Sequence, residues 1–340
     1  MPPIRGATIA IFGATGNVGR NIVALLIERK IATPEEITLF ASKASAGKTL
    51  NFLGHDFTVH DMHAADFSKA QICLFATDSD VSKQYIPNAI ATGALVVDSS
   101  SLYRLDPKTP LIVAPVNKDL VNVNKSRWYA MANCVSSPIS IVLAPIYHHY
   151  PINRVSVTTY QSTSGAGKGA MDELYSETKS KCENTAYERK YFPRPIAFNV
   201  IPQIDKFLDD GSTYEEFKII HEIKKIISSD LAITATAVRV PVMIGHSVAL
   251  SIDFKRDFSL DDVYTLLEQS PSIKLSTDHY TTPVEVVGSD DVYVGRIRRD
   301  HSVAHGLHLW LCSDNLRRGA ATDVVEVADE LVKQLRIAWR

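Results

Sequence analysis

The stretch Gly13-Ala14-Thr15-Gly16-Asn17-Val18-Gly19 stands between an apolar run at 7–12 and a segment at 17–30 whose apolar residues recur at helical spacing. Glycines there permit a tight turn and let main-chain N–H groups approach a pyrophosphate, while the start of the helix supplies positive potential. An ordinary strand-to-helix turn can use the same letters. Its place at the head of an alternating region favours dinucleotide binding. Further strands are predicted at 37–41, 72–76 and 94–97, with a helix at 80–91 between the last two. Strand, helix, strand in succession predicts a parallel sheet with helices on its faces.

The pattern changes after about residue 133. A helix is predicted over 134–150, then β-rich runs at 154–161, 233–254, 292–298 and 307–312, an amphipathic helix at 215–228 and a closing helix at 315–335. Strands joined by few helices point to a second, α+β domain with a mixed sheet. A length of 340 residues suits two domains, and 45% apolar with 22% charged residues suits a soluble enzyme. A net charge of -2 argues against a nucleic-acid partner. The apolar run at 139–147 falls short of a membrane span and is interrupted by Pro145. The first residues do not resemble a signal peptide. Cys73, Cys134, Cys182 and Cys312 form no CxxC pair, so neither a disulfide framework nor a metal site is expected, and a cytoplasmic setting is.

NAD enzymes commonly place a carboxylate at the end of the second strand. Here that strand runs into Ser42, Lys43, Ala44 and Ser45. Ser42 or Ser45 could donate to a 2′-phosphate, and Lys43 or Lys48 could supply charge, which favours NADP; a solvated basic loop is the plainer reading of either lysine. Cys134 falls at a predicted helix start, where the dipole raises the thiolate fraction and makes a covalent nucleophile plausible. Most free cysteines are simply small buried residues. His246, preceded by Gly245 and seven residues after Arg239, reads either as an acid/base partner or as a hydrogen-bonded strand histidine.

The motifs then converge. The sequence resembles the aspartate-β-semialdehyde dehydrogenase family along nearly its whole length. The matching stretches are GATGNVG at 13–19, SAGK at 45–48, VVDSSSLYRLDP at 96–107, NC at 133–134, YQSTSGAGKGAMDEL at 160–174 and AFNVIPQID at 197–205. EEFK at 215–218, VRVPVMIGHS at 238–247, GSDDVYVGRIRRD at 288–300 and SDNLRRGAA at 313–321 follow in order.

The resemblance implies an NADP-binding domain at 1–133, completed by a C-terminal helix at 315–340, and a catalytic and dimerisation domain at 134–314. The implied reaction is reversible, NADPH-dependent reductive dephosphorylation of β-aspartyl phosphate to aspartate β-semialdehyde, in lysine, methionine and threonine synthesis. Inorganic phosphate is the co-substrate in the oxidative direction. By the same resemblance Cys134 forms a thioester, His246 is the general acid/base and Gln161 orients the acyl group. Arg239 clamps the α-carboxylate and Glu215 meets the ammonium. Lys218, Arg104 and Asn133 hold the phosphate. Gly13, Ala14, Thr15, Gly16, Asn17, Val18, Ser42, Lys43, Ser45, Gly165 and Asn315 contact the cofactor. A homodimer or homotetramer is implied.

Four places depart from the family pattern. Ala44 stands where an arginine often binds the 2′-phosphate. Val135 replaces a hydroxyl residue after the cysteine. Pro115 interrupts a common PEVN. Thr77-Asp78-Ser79-Asp80 replaces a small, glycine-rich loop. The rival readings are a related reductase of N-acetyl-γ-glutamyl phosphate or malonyl-CoA, and a non-catalytic dinucleotide-binding paralogue. Glu215 favours a free amine on the substrate, and the joint presence of Cys134, Gln161, Arg239 and His246 favours an enzyme.

Overall fold

Fully buried β-strands in a parallel sheet need apolar residues on both faces, and Ile9–Phe12 (β1) supplies four in a row. The computed structural model describes residues 7–338. After β1 come α1 (Asn17–Glu28), β2 (Ile37–Ala41), β3 (Thr49–Phe52), β4 (His55–Asp61), β5 (Ile72–Phe75), α2 (Ser79–Ala91) and β6 (Leu95–Asp98). Then follow β7 (Leu111–Ile112), the single turn α3 (Ala114–Asn117) and β8 (Trp128–Met131). The sheet order is β3-β4-β2-β1-β5-β6-β8-β7. Its pairings are parallel except for the β3–β4 hairpin. The order reverses between β1 and β5, the switch point beyond whose carboxyl ends α/β sheets bind ligands.

The second sheet is built from β9 (Ile152–Gln161), β10 (Ile233–Arg239), β11 (His246–Phe254), β12 (Ile273–Leu275), β13 (Val292–Asp300) and β14 (Gly306–Ser313). Their order is β10-β9-β11-β14-β13-β12, with parallel and antiparallel pairs mixed. Its helices are α4 (Ser136–His149), α5 (Lys168–Glu183), α6 (Tyr214–Ile226) and α7 (Leu260–Glu268), and α8 (Thr322–Ala338) is the last element among the described residues. The fold is therefore α/β, a Rossmann-type mostly parallel sheet followed by a mixed-sheet domain.

The chain parts into two compact units, Met1–Ala132 with Ala320–Arg340, and Asn133–Gly319. In the first, Ile22, Leu25 and Leu26 of α1 join Val324, Ala328 and Leu331 of α8 in one buried cluster with β1 and β5. α8 starts at Thr322 rather than at Asn315, because Asp314 Oδ1 accepts the N–H groups of Leu316 and Arg317 and Arg317–Ala321 forms a wider turn. Likewise α4 begins at Ser136, two residues after Cys134. The β-rich run expected over 233–254 is two strands, parted by a turn in which Gly245 has φ +95.

Candidate active site

The glycine turn follows β1 at the switch point of the first sheet. Gly13 has φ +82, and a Cβ there would lie 2.3 Å from the carbonyl oxygen of Ala76 after β5. A Cβ on Gly19 would lie 2.2 Å from the carbonyl oxygen of Gly13, so α1 starts hard against the turn. Gly16 caps α1 without any side-chain hydrogen bond. Helix starts leave N–H groups without helical partners, so this end suits a pyrophosphate. Ser42, Lys43 and Ala44 are exposed at the end of β2, with Ser45 half-buried beside them. No carboxylate occupies 42–48. These residues fit a dinucleotide. Asp78, in the segment that replaces a glycine-rich loop, accepts the Val81 N–H at 2.9 Å and caps α2. Substituting Gly13 by alanine is expected to cost about 2 kcal/mol through strain at positive φ. Thermal melting and NADPH titration check this, with a lower Tm and weaker binding as the result.

The second unit gathers most of the predicted catalytic and substrate residues. Cys134 is half-buried just before α4, and its Sγ lies 3.4 Å from His246 Nε2. The other cysteines have no such partner: burial pushes Cys73 and Cys312 up to about 12, and Cys182 is exposed. His246 opens β11 and is buried. Burial first, and the Arg239 charge second, hold its imidazole down to about 3. Arg239 ends β10, 5% exposed; its Nη1 donates to the Ser162 carbonyl at 2.7 Å and its buried Nε has no hydrogen-bond partner. A Cβ on Gly165 would come 3.2 Å from both Arg239 Nη1 and His246 Nε2. Gly165, expected at the cofactor, lies close against the Arg239 and His246 side chains.

Glu215 is the hub of the site. Its Oε1 accepts from Asn133 Nδ2 and Gln161 Nε2, each at 3.0 Å, and its Oε2 lies 2.7 Å from Lys218 Nζ. Burial would raise this carboxyl, but Lys218, helped by the Gln161 and Asn133 hydrogen bonds, holds the group down to about 2. Burial likewise opposes the charge on Lys218, and Glu215 with Asp205 raises its pKa nonetheless. Lys218 also reaches Asp205 at 3.2 Å. The pair is no surface salt bridge: the two side chains are 5% and 14% exposed.

The structure gives protein partners to several of the residues expected to meet ligands. Glu215, expected to meet the substrate ammonium, has both oxygens taken by protein donors. Asn133, expected on the phosphate, is built into the scaffold. Its main-chain N–H donates to Glu222 at 2.6 Å and its Oδ1 accepts the Val135 N–H at 2.9 Å. Asn315, expected beside the nicotinamide, is buried with its Oδ1 accepting from Gly245 N at 2.9 Å, Ser162 Oγ at 3.1 Å and Ser164 Oγ at 3.0 Å. Arg104 is buried in the first unit and donates to the Ser99 carbonyl at 2.8 Å. Residues missed at the sequence level include Glu222, which lies two helical turns beyond Glu215 on α6, and Gly319. A Cβ on Gly319 would sit 2.6 Å from the Cys134 carbonyl oxygen.

A thiol facing an imidazole in one unit and a glycine turn after a parallel strand in the other are features expected of a nicotinamide-linked dehydrogenase that works through a cysteine. Two family models agree: the semialdehyde dehydrogenase NAD binding domain matches residues 8–123, and the semialdehyde dehydrogenase dimerisation domain matches residues 143–318. The aspartate-semialdehyde dehydrogenase of Rickettsia conorii is 41% identical over 95% of this chain and 97% of its own. That of Bacillus subtilis is 41% identical over 97% and 98%. The structure of aspartate semialdehyde dehydrogenase II from Vibrio cholerae, complexed with ASA, superposes with a TM-score of 0.93 at 38% identity, covering 97% of this chain and 99% of that one. The chain belongs to the aspartate-semialdehyde dehydrogenase family.

Proposed function

We propose that this chain reduces β-aspartyl phosphate to aspartate β-semialdehyde with NADPH, and runs the reverse with inorganic phosphate, through a thioester on Cys134. The observation that carries this reading is the 3.4 Å approach of Cys134 Sγ to His246 Nε2, with a buried guanidinium alongside. The sulfur attacks the acyl carbon and phosphate departs; covalent catalysis splits one hard step into two. The N-terminus of α4 lends positive potential to a thiolate at its mouth. His246 sits on the sulfur, where the expected acid/base group belongs.

Arg239 takes the substrate α-carboxylate, since its unpartnered Nε and its fork geometry suit that anion. Glu215 draws Asn133, Gln161 and Lys218 into one rigid set, so Gln161 orients the acyl group from a fixed point and Lys218 keeps its charge for phosphate. Arg104 retains its phosphate role on resemblance alone. NADPH, held by the turn from Gly13 to Val18 with Ser42, Lys43 and Ser45 at the 2′-phosphate, supplies hydride when bound. Replacing Lys43 by alanine should raise the KM for NADPH about fivefold, as for an exposed ion pair, and leave that for NADH unchanged. Equal changes for both would remove Lys43 from the 2′-phosphate.

A homodimer fits the dimerisation domain. Tyr160, Ala249, His308 and Trp310 are only half-buried on one face of the mixed sheet. Among the described residues no helix is long and apolar enough to cross a membrane, and a cytoplasmic setting fits a biosynthetic enzyme. The direct test is NADPH oxidation with β-aspartyl phosphate, and the reverse assay with the semialdehyde and phosphate. Absence of turnover in both directions by folded, NADPH-binding protein would refute the reading.

A further inference from the structure

The proposed reaction leaves one fully buried carboxylate of α6 without a task. Glu222 is 0% exposed, and its Oε2 accepts the main-chain N–H of Asn133 at 2.6 Å. An N–H bond this short to a carboxylate is charge-assisted. Asn133 passes the hold on across the cysteine. Its Oδ1 accepts the Val135 N–H at 2.9 Å, its carbonyl accepts the Ser137 N–H at 3.0 Å, and its Nδ2 donates to Glu215 at 3.0 Å. The residues on both sides of Cys134 are therefore tied, directly or through one side chain, to two glutamates seven positions apart on α6. The helix is itself fixed. Thr213 and Glu216 close a capping box at its start, and Glu216 Oε1 accepts the Ala237 N–H of β10 at 2.9 Å, two residues before Arg239. Ile219, Ile223 and Ile226 are buried, and α6 packs on β10 and α4.

We propose that Glu222 is a positioning residue for the nucleophile: by holding the Asn133 N–H it fixes the main chain that carries Cys134, and so keeps Sγ within 3.4 Å of His246 Nε2. This rests on Cys134 being the nucleophile. Glu222 acts through the Asn133 peptide and not on the reacting atoms. An ionised carboxylate only accepts, so it meets that N–H in one sense and gives the peptide no second arrangement. With no acceptor the buried N–H would lack a partner, and the main chain would shift to find one. A displacement of about 1 Å at a reacting group costs on the order of 10² in rate. What Glu222 supplies is therefore reach. Aspartate carries the same charge on a stem shorter by one C–C bond, about 1.5 Å, and its oxygens fall short of the Asn133 N–H. Glutamine keeps the length and one acceptor oxygen without the charge.

The test compares Glu222→Asp, Glu222→Gln and Glu222→Ala in the full chain, with melting curves to show that each is folded. Glu222→Asp and Glu222→Ala should lower kcat about 10²-fold with the KM for NADPH unchanged, and Glu222→Gln should recover at least about tenfold of that. If the alanine variant does not fold, the aspartate and glutamine variants decide. A second arm needs no turnover. The resting enzymes are treated with iodoacetamide at one pH, and alkylation of the peptide bearing Cys134 is followed by mass spectrometry. A sulfur drawn away from its imidazole should react about tenfold more slowly in Glu222→Asp than in Glu222→Gln. Parental kcat in Glu222→Asp, a loss in Glu222→Gln as large as in Glu222→Asp, or a KM for NADPH that rises in step with the fall in kcat overturns the proposal. So does alkylation in Glu222→Asp as fast as in Glu222→Gln or faster. Alkylation reports where the sulfur sits whether or not the substrate acylates it, so the failure of either claim is separately visible.

Discussion

Cys134→Ala will bind NADPH and melt like the parent protein, yet turn over β-aspartyl phosphate on the order of 10⁶-fold more slowly, the scale of removing a covalent nucleophile. The substitution deletes one half-exposed sulfur. It leaves intact the hydrogen bonds that hold the neighbouring main chain, from Asn133 N to Glu222 and from Val135 N to Asn133 Oδ1. Serine should fare little better. A serine hydroxyl ionises far less readily than a thiol and is the weaker nucleophile here. Steady-state rates in both directions, with melting curves and NADPH titrations as controls, check this. Residual turnover within about a hundredfold of the parent would contradict covalent catalysis.

Arg239→Ala should lower kcat/KM roughly 10³-fold. A guanidinium that pairs with a carboxylate out of water is worth about 3–5 kcal/mol when one partner is removed, and each 1.4 kcal/mol is a factor of ten. Here the group is 5% exposed and donates once, to the Ser162 carbonyl. Arg239→Lys should recover only part of the loss, because an ammonium cannot present a fork. Both changes should act mainly through KM if the α-carboxylate is the partner. A loss confined to kcat would instead tie Arg239 to His246, whose ring its charge helps keep neutral.

The parallel sheet was legible because its strands carry continuous apolar runs and because the glycine turn marks the switch point. The β3–β4 hairpin was not. Its turn is Leu53-Gly54, both at positive φ, rather than the usual Asn-Gly, and Leu53 is exposed. Helix α5 was hidden for another reason. Its buried face is Ala170, Glu173, Leu174 and Glu177. The two glutamates accept main-chain N–H groups of Lys190, Tyr191, Phe192, Ile196 and Ala197, so carboxylates stand where apolar residues would signal a helix.

In the site, Cys134 and His246 stand 112 positions apart, and nothing in their local letters joins them. Family resemblance linked them; only the fold shows the contact. Glu215 and Lys218 read locally as a solvated pair, and their burial depends on contacts from β9 and the segment before α4. Glu222 sits in a helix rich in lysine and glutamate, where a buried carboxylate looks like any surface one. The occupation of Asn315 could not be read either, since it depends on Gly245 and on two serines far away in sequence.

The central claim is that the acyl group of the substrate rests on one sulfur. Mixing the enzyme with β-aspartyl phosphate without NADPH, quenching in acid and analysing its peptides by mass spectrometry tests this directly. An aspartyl adduct on the peptide bearing Cys134, removed by hydroxylamine and absent after NADPH is added, is the predicted result. Normal turnover with no adduct, or with the adduct on Cys73, Cys182 or Cys312, would contradict it.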